Sequence, residues 1–394
     1  MLAVDEAVEA LIQKSVVRCD SLAVSLESSQ NLVSAEDVRA SCNVPPADNS
    51  AMDGYAFSLQ DAVAAKFSLP IAQRITAGAE SPPLVSGTAS RIFTGAEIPL
   101  GADTVAIQEL CEEKLGMVNL DRSAVAGANI RKCGQDVTFS DVIIPAGTKI
   151  KPAELGLLAS QGYTNVLVYR PIKVGVLSTG DELVEPSSNL GLGKIYNSNS
   201  PMLGGLIRDL GMEFVDLGCV KDKSSETKDA LLKACDEVDV ILTVGGVSVG
   251  EEDHVRSAVD ELGEIEFWKV AIKPGKPIAF GHIQGVPLVG LPGNPASVFV
   301  TFVILARPFL MGCQGAKKPK APVVQAKALF NRAGESREVY LRGRLIADGK
   351  TLGVEIHPNQ SSGVLSSVSW GDVLVKQKIH RDISFNDLLD VIVY

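Results

Sequence analysis

The chain has 394 residues, 46% hydrophobic and 21% charged, the profile of a soluble globular protein rather than a disordered or fibrous one. At roughly 150 residues per domain it is expected to hold two to four domains and bury at least one large core. Lys plus Arg total 37 against 47 Asp plus Glu, and the net charge of −10 argues against a nucleic-acid binder.

The seven cysteines are dispersed without a CxxC pair, and none of the four histidines pairs at i,i+4. A disulfide framework, a zinc site and a His-rich metal site are therefore set aside, and any metal would be a hard, oxygen-liking ion. The first segment, MLAVDEAVEALIQKSVVRC, has acids at Asp5, Glu6 and Glu9 among apolar residues at helical spacing. That is unlike a signal peptide, and a cytoplasmic protein is expected.

In chain order, residues 1–40 read as helical, with Val4, Ala7, Val8 and Leu11 on one stripe. From Pro45 to Asp136, proline and glycine punctuate short β runs such as SRIFTG and DTVAIQE, which predicts a β-rich domain over 45–136. Helical spacing resumes after Pro152, so a helical domain of 1–44 plus 137–168 is expected to be interrupted by that β unit.

From Lys173 to Gly312 strands and helices alternate: KVGVLS, a helix over 201–210, EFVDLG, a helix over 225–237, DVILTV, a helix over 253–262, then IEFWKV, IAFGHI, VPLVGL and a helix from Asn294. This predicts a mainly parallel α/β sheet with helices on both faces over 169–313. Ser200-Pro201 and Asn294-Pro295 read as N-caps followed by proline at the first helical position, and Gly211 as a C′ glycine. The longest apolar run, 298–306, is stopped by Arg307-Pro308 and is too short to cross a bilayer, so it reads as a buried helix. Beyond the linker AKKPKAP, the runs VVQAKALF, EVYLRGRL, TLGVEIH and DVLVKQK predict a small barrel-like β domain over 314–394.

Ligands of open α/β sheets bind beyond the carboxyl ends of the strands, and the unusual loops fall there. They are STGDEL (178–183), the approach to Asp222, VGGVSVGEEDH (244–254), KVAIKPGKP (269–277) and LPGNPAS (291–297). They carry the acids Asp181, Glu182, Asp222 and Asp253 and the bases Lys269, Lys273 and Lys276. The free N–H groups of Ala296 and Ser297, past the Asn294 cap, read as a further anion seat.

Gly245-Gly246 has the form of a phosphate cradle, yet Glu251, Glu252 and Asp253 follow it. At roughly 4 Å and an effective dielectric near 20, each such acid would repel a phosphate by several kcal/mol. A divalent cation between them reverses the sign, so the pattern predicts magnesium held by carboxylates and substrate phosphate. Each loop alone has a plainer reading: the acids complement a helix dipole, the Gly-Gly is a turn, the lysines flank a solvated turn, and Asn294 is a cap. Convergence of all these loops at one rim favours the ligand reading.

A second cluster comprises PPADNSAMDGYAF (45–57), RIFTGAEIP (91–99) and NIRKCGQD (129–136). Asp48, Asn49, Asp53 and Gly54 are dense in the first, and Arg131 and Lys132 suit an oxyanion; β-turns with solvated charges are the alternative.

Together PADNSAMDGYA, RIFTGAEIP, GVLSTGDELVEP, IYNSNSPML, TVGGVSVGEEDH, FWKVAIKPGKPIAFG and GLPGNPAS resemble the molybdopterin molybdenumtransferase (MoeA) family, which includes the E domain of gephyrin. The similarity runs from about residue 2 to 375 and thins in the C-terminal β domain. The resemblance implies an elongated homodimer of four-domain chains. It implies magnesium-dependent hydrolysis of adenylylated molybdopterin with AMP release, and ligation of molybdate to the dithiolene.

By motif match it places Asp53, Glu182, Asp222, Asp253 and Lys273 at the site, and charge and loop position assign them catalytic roles, with Glu182 and Asp253 binding magnesium and orienting water and Asp222 aiding as a further metal ligand. It implies substrate contacts from Thr94, Arg131, Asp136, Ser178, Thr179, Gly245, Gly246, Ser248, Lys269, Lys276, Pro292, Asn294, Pro295 and Ser362. Asp53, Thr94, Arg131 and Asp136 of one subunit would face the rim acids and lysines of the other. Cys133 and Gln135 stand where the family pattern has Arg and Glu, which lowers positive charge in that cluster. Two other functions are consistent with the resemblance: a molybdopterin adenylyltransferase, itself a candidate partner, and a gephyrin-like peptide-binding scaffold.

Overall fold

The computed structural model describes all residues except 222, 247–253 and 350. Asp222, Ser248, Glu251, Glu252 and Asp253 therefore lie outside the described residues. The chain folds into two compact units: Asp37–Pro145 with Pro152–Asn165, and Met1–Glu36 with Ala146–Lys151 and Val166–Tyr394.

The first of these units holds a six-stranded sheet of β1 (Gly54–Phe57), β2 (Ser68–Ile75), β3 (Ala89–Ile92), β4 (Thr104–Ile107), β5 (Glu112–Lys114) and β6 (Met117–Asn119). The strand order is β4-β1-β3-β2-β6-β5. β1 is the central organiser, pairing antiparallel with both β3 and β4, and its Tyr55, Ala56 and Phe57 are buried.

In the second unit, helix α1 (Val4–Lys14) buries the predicted stripe of Val4, Ala7, Val8 and Leu11. The helix ends at Lys14, well short of residue 40. Ser21–Ser25 and Val33–Ser34 flank Asn165–Tyr169 as short strands instead. The helical period of the first stripe does not continue past Lys14, and tertiary pairing decides the rest.

The α/β portion comprises β7 (Lys173–Thr179), α2 (Asn199–Asp209), β8 (Glu213–Val220), α3 (Ser224–Glu237), β9 (Val240–Val244), α4 (His254–Leu262), β10 (Gly263–Lys269), β11 (Pro277–Ile283), β12 (Val286–Leu291) and α5 (Pro295–Thr301). Its strand order is β8-β7-β9-β12-β11-β10. β8, β7, β9 and β12 pair in parallel, while β11 is antiparallel to both β12 and β10. Two reversals cancel, so β10 runs with β12. Five strands therefore end at one rim, and the loops after β7, β9, β10 and β12 emerge together.

Two local corrections follow. α2 starts at Asn199 after Ser198, so Ser200 and Pro201 lie inside the first turn rather than at the cap; Ser200 is buried, and its backbone N–H donates to Asn197 Oδ1 at 3.3 Å. The apolar run does not stop at Arg307-Pro308. A π-helical turn, Phe302–Ala306, carries α5 into a further helix, Arg307–Cys313. The π turn has already broken the i→i−4 ladder, so the N–H that proline lacks is not needed there. The continuous run Pro295–Cys313 has 19 residues; its most apolar 18-residue window has a mean hydropathy of 1.8, and 89% of that window is buried within the fold.

That long helix, α1 and the sheet share one core with Tyr340, Leu374 and Ile392 of the C-terminal strands. These strands are β13 (Val323–Ala328), β14 (Glu338–Asp348), β15 (Thr351–Ile356), β16 (Val373–Gln377) and β17 (Leu388–Val393). They pair as β14-β15-β13-β17-β16, and a β14–β16 pairing closes the barrel. Side chains alternate along β14: Val339 and Leu341 fill the barrel, while Tyr340 packs on the α/β core. Arg342 shares the face of Tyr340. The short strand Ile272–Lys273 pairs with the start of β14, fixing Lys273 opposite Val339.

Candidate active site

The rim loops and the barrel enclose a groove of about 830 Å³. Its sheet-side wall is mostly backbone, glycine and proline: Gly245-Gly246, Pro274-Gly275 and Pro292-Gly293-Asn294. Two glycines there are required by geometry. Gly275 has φ +107, and a Cβ on it would lie 2.4 Å from Thr301 Cγ2 of α5. Gly245 has φ +88, and a Cβ on it would lie 2.9 Å from the Thr179 carbonyl oxygen. The KPGKP turn is closed by the Val270 N–H donating to the Lys276 carbonyl at 3.1 Å.

The barrel-side wall supplies charge. Arg332, Arg337 and Arg342 line the groove with His357, Gln360, Ser361 and Ser362, facing Lys273 and Lys276. Arg342 is only 1% exposed; its Nε donates to Ser367 Oγ at 2.9 Å and its Nη2 to the Ser361 carbonyl at 3.0 Å. Burial lowers its pKa to about 10. Among the described residues no carboxylate lies within ion-pair distance of Arg337, Arg342 or Lys276. Lys273 and Arg332 are different: both bind Glu335, at 2.5 Å each. Burial raises the Glu335 carboxyl, but the hydrogen bond and charge of Lys273, with the charge of Arg332, outweigh it and hold the pKa below its ordinary value.

A second groove of about 640 Å³ shares Gly245, Gly246, Gly293 and Asn294 with the first. Thr179, Glu182, Tyr196, Asn199 and Pro295 also line it. Asn199 is 6% exposed; its Nδ2 donates to the Gly293 carbonyl at 2.8 Å, while its buried Oδ1 has no hydrogen-bond partner among the described residues. A buried acceptor without a partner is costly unless a ligand supplies the donor.

Of the residues singled out in the sequence, Gly245, Gly246, Lys273, Lys276, Pro292, Asn294 and Ser362 meet at the larger groove. Thr179, Glu182 and Pro295 meet at the smaller one. Ser178 lies buried in the sheet, its Oγ accepting from Asn197 Nδ2 at 3.1 Å, and lines neither groove. Lys269 lines neither groove; its carbonyl accepts from the Leu2 N–H at 2.9 Å. The expected seat on the Ala296 N–H is taken, since that group donates to the Ser362 carbonyl at 3.0 Å. Asn294 occupies the N-cap position without a side-chain cap bond.

The other unit brings its three quoted segments together by itself. Asp53 Oδ1 accepts from Thr94 N at 2.7 Å and Thr94 Oγ1 at 2.9 Å, and these bonds lower its pKa. Arg131 pairs with Asn49 across Ile130–Arg131 and Asn49–Ser50. Asp48 binds Lys132 Nζ at 2.7 Å and the Cys133 N–H at 2.8 Å. Asp136 donates its backbone N–H to the Val44 carbonyl at 2.9 Å.

The sequence reading missed Arg332, Arg337, Arg342, Glu335 and His357. The available signal was Arg342 within the apolar run EVYLRGRL, on a strand face that alternation assigns to Tyr340.

A basic groove at the rim of an α/β sheet, beside a second groove with an unsatisfied amide oxygen, suits a protein that handles an anionic, hydrogen-bonding small molecule. In keeping with that class, residues 175–312 match the family described as Probable molybdopterin binding domain, and residues 2–162 match the MoeA N-terminal region (domain I and II). The chain is 40% identical over 326 residues to the molybdopterin molybdenumtransferase of Haemophilus influenzae, covering 82% of this chain and 80% of that one. It is 35% identical over 356 residues to the enzyme of the same name from Synechococcus elongatus, covering 87% and 86%. A crystal structure of a molybdopterin biosynthesis moeA protein from Pyrococcus horikoshii OT3 superposes over the whole of both chains with a TM-score of 0.85 at 27% identity. The chain belongs to the molybdopterin molybdenumtransferase family, a family of enzymes of molybdenum cofactor biosynthesis.

Proposed function

We propose that this chain inserts molybdate into adenylylated molybdopterin with release of AMP, and that the larger groove seats the oxyanion. The observation that carries this reading is Arg342: a nearly fully buried guanidinium with no carboxylate partner among the described residues, facing a groove lined by further cations. A buried cation is costly unless an anion completes it, and molybdate or a substrate phosphate is such an anion. Lys276, Arg337, Arg342 and the Ser362 hydroxyl are the donors we assign to it. The smaller groove takes the pterin end, with Asn199 Oδ1 accepting from a ring N–H or amino group and Gly245-Gly246 allowing close approach.

Glu182, Asp222 and Asp253 are the residues we assign to magnesium. Carboxylate oxygens suit a hard cation, and Glu182 stands in the groove proposed for the substrate. Bound there, magnesium would neutralise phosphate charge during hydrolysis of the phosphoanhydride. Lys273 and Lys276 stabilise charge on the departing phosphate and the incoming oxyanion. Asp53, Thr94, Arg131 and Asp136 serve the same reaction from a second copy of the chain, within a homodimer of four-domain subunits in the cytoplasm. An adenylyltransferase acting one step earlier is the proposed supplier of substrate.

The test supplies purified full-length protein with adenylylated molybdopterin, molybdate and magnesium. AMP release that requires both ions is the expected result. Pyrophosphate release from molybdopterin and ATP, without AMP release from the adenylylated substrate, would assign the earlier step instead. Absence of any turnover would favour a peptide-binding scaffold.

A further inference from the structure

We infer that Glu335 is the resident counter-anion of the larger groove and sets its affinity for an incoming oxyanion by competing for Lys273. The inference rests on the oxyanion reading of that groove.

Glu335 spans two cations: its Oε2 lies 2.5 Å from Lys273 Nζ and its Oε1 lies 2.5 Å from Arg332 Nη2. The two bonds are not equivalent. Arg332 has a second anchor, donating from Nε to Gln377 Oε1 at 3.0 Å, and Gln377 is 1% exposed. For the Lys273 ammonium, Glu335 is the sole acceptor bonded among the described residues. Lys273 is also the more accessible partner, with its side chain 40% exposed against 24% for Arg332. Lys273 is therefore the cation that can change partners while Arg332 keeps Glu335 in place.

The loop bearing Glu335 does not depend on that carboxylate for its position. The Arg332 N–H donates to the Ile383 carbonyl at 2.8 Å, the His380 N–H donates to the Glu335 carbonyl at 2.8 Å, and the Gly334 N–H donates to Asp382 Oδ1 at 2.7 Å. Neutralising the side chain thus leaves the backbone fixed and changes the charge alone.

An anion entering the groove meets three cations with no carboxylate partner among the described residues and two already bound by Glu335. To use Lys273 it must replace a carboxylate, and while bound it feels the repulsion of that carboxylate. Removing the Glu335 charge relieves both effects. The repulsion scales with ligand charge, so the relief is larger for a dianion than for a monoanion of the same shape.

The test is calorimetric titration of the full-length protein and its variants with molybdate (2−) and with perrhenate (1−), both tetrahedral, at one fixed ionic strength. Glu335→Gln is expected to bind molybdate about three- to tenfold more tightly than the parent, the scale of a partly exposed ion pair, and to gain less for perrhenate. Glu335→Ala is expected to behave alike. In a Lys273→Ala background the gain from Glu335→Gln is expected to shrink.

Equal or weaker molybdate binding by both Glu335 variants, with the proteins still folded at the titration temperature, overturns the inference and makes Glu335 a brace for the two cations. If molybdate binds the parent and Arg342→Met abolishes that binding, the oxyanion reading survives such a failure. If molybdate binds neither parent nor variants, the reading and the inference fall together.

Discussion

The two walls of the larger groove are made from different materials. On the sheet side, Gly245, Gly246, Gly275, Pro292 and Gly293 bring bare backbone close to the ligand space, with Lys273 and Lys276 as the charged side chains of that wall. On the barrel side, Arg342 projects from β14 and Arg332 and Arg337 from the connection before it, and guanidinium and hydrogen-bonding side chains dominate the wall. The sheet layer thus gives the groove most of its shape, and the barrel layer gives it its guanidinium groups. The sheet rim can stay a tight backbone cradle because the barrel, whose Ser362 carbonyl accepts from the Ala296 N–H, supplies three arginines beside the two rim lysines.

The comparison breaks most sharply at Arg342. Arg342→Met is expected to weaken molybdate binding roughly a hundredfold, by the loss of a charged hydrogen-bonding partner in a dry site. Its melting temperature should fall only modestly, because relief of a buried charge without a carboxylate partner among the described residues offsets the lost bonds to Ser367 Oγ and the Ser361 carbonyl. Titration and a thermal melt on the same sample check both halves, and a collapse of the fold would show that Arg342 is mainly structural.

The opposite outcome is expected on the sheet wall. Gly275→Ala combines a positive φ with a contact of 2.4 Å to Thr301 Cγ2, so about 2 kcal/mol of stability should be lost in denaturant unfolding. Loss of oxyanion binding without loss of stability would contradict the division between the walls.

Smaller effects sharpen it. Asn199→Ala should weaken molybdopterin binding about tenfold while costing less than about 1 kcal/mol of stability, since it removes the unsatisfied acceptor along with the bond to Gly293. A stability loss with unchanged molybdopterin affinity would give Asn199 back to the fold.

The smallest effect is acid stability. The folded-state pKa of Glu335 is depressed below 4.5, so its stabilising contribution is present above pH 4.5 and is lost as pH falls through the folded value. Melting curves across that window should fall less steeply for Glu335→Gln than for the parent.

The same contrast explains what the sequence makes legible. The sheet wall is readable because each of its loops follows an apolar strand and carries glycine or proline. Gly245-Gly246, the KPGKP turn and Asn294-Pro295 stand out at known ends of strands, and the direction of β10 brings them to one rim. The barrel wall is not readable in that way. Arg342 sits inside a run that reads as an ordinary amphipathic strand, and only closure of β14 on β16 turns its outward face toward the sheet. Arg332 and Glu335 lie in a polar connection, NRAGES, that resembles any solvated turn until Lys273 is placed beside it.

Other departures are also tertiary. The stripe of α1 is visible in sequence, but the strands after Lys14 exist because Asn165–Tyr169, far along the chain, returns to pair with them. Pro308 looks like a helix stop, and a π turn carries the helix past it. The Ala296 N–H looks free until the Ser362 carbonyl arrives from the barrel.

The most direct measurement is anomalous diffraction at the molybdenum edge from a crystal soaked in molybdate. A peak is expected in the larger groove, within hydrogen-bond reach of Arg342, Lys276 and the Ser362 hydroxyl. A molybdenum peak elsewhere on the protein, with that groove empty, would contradict it.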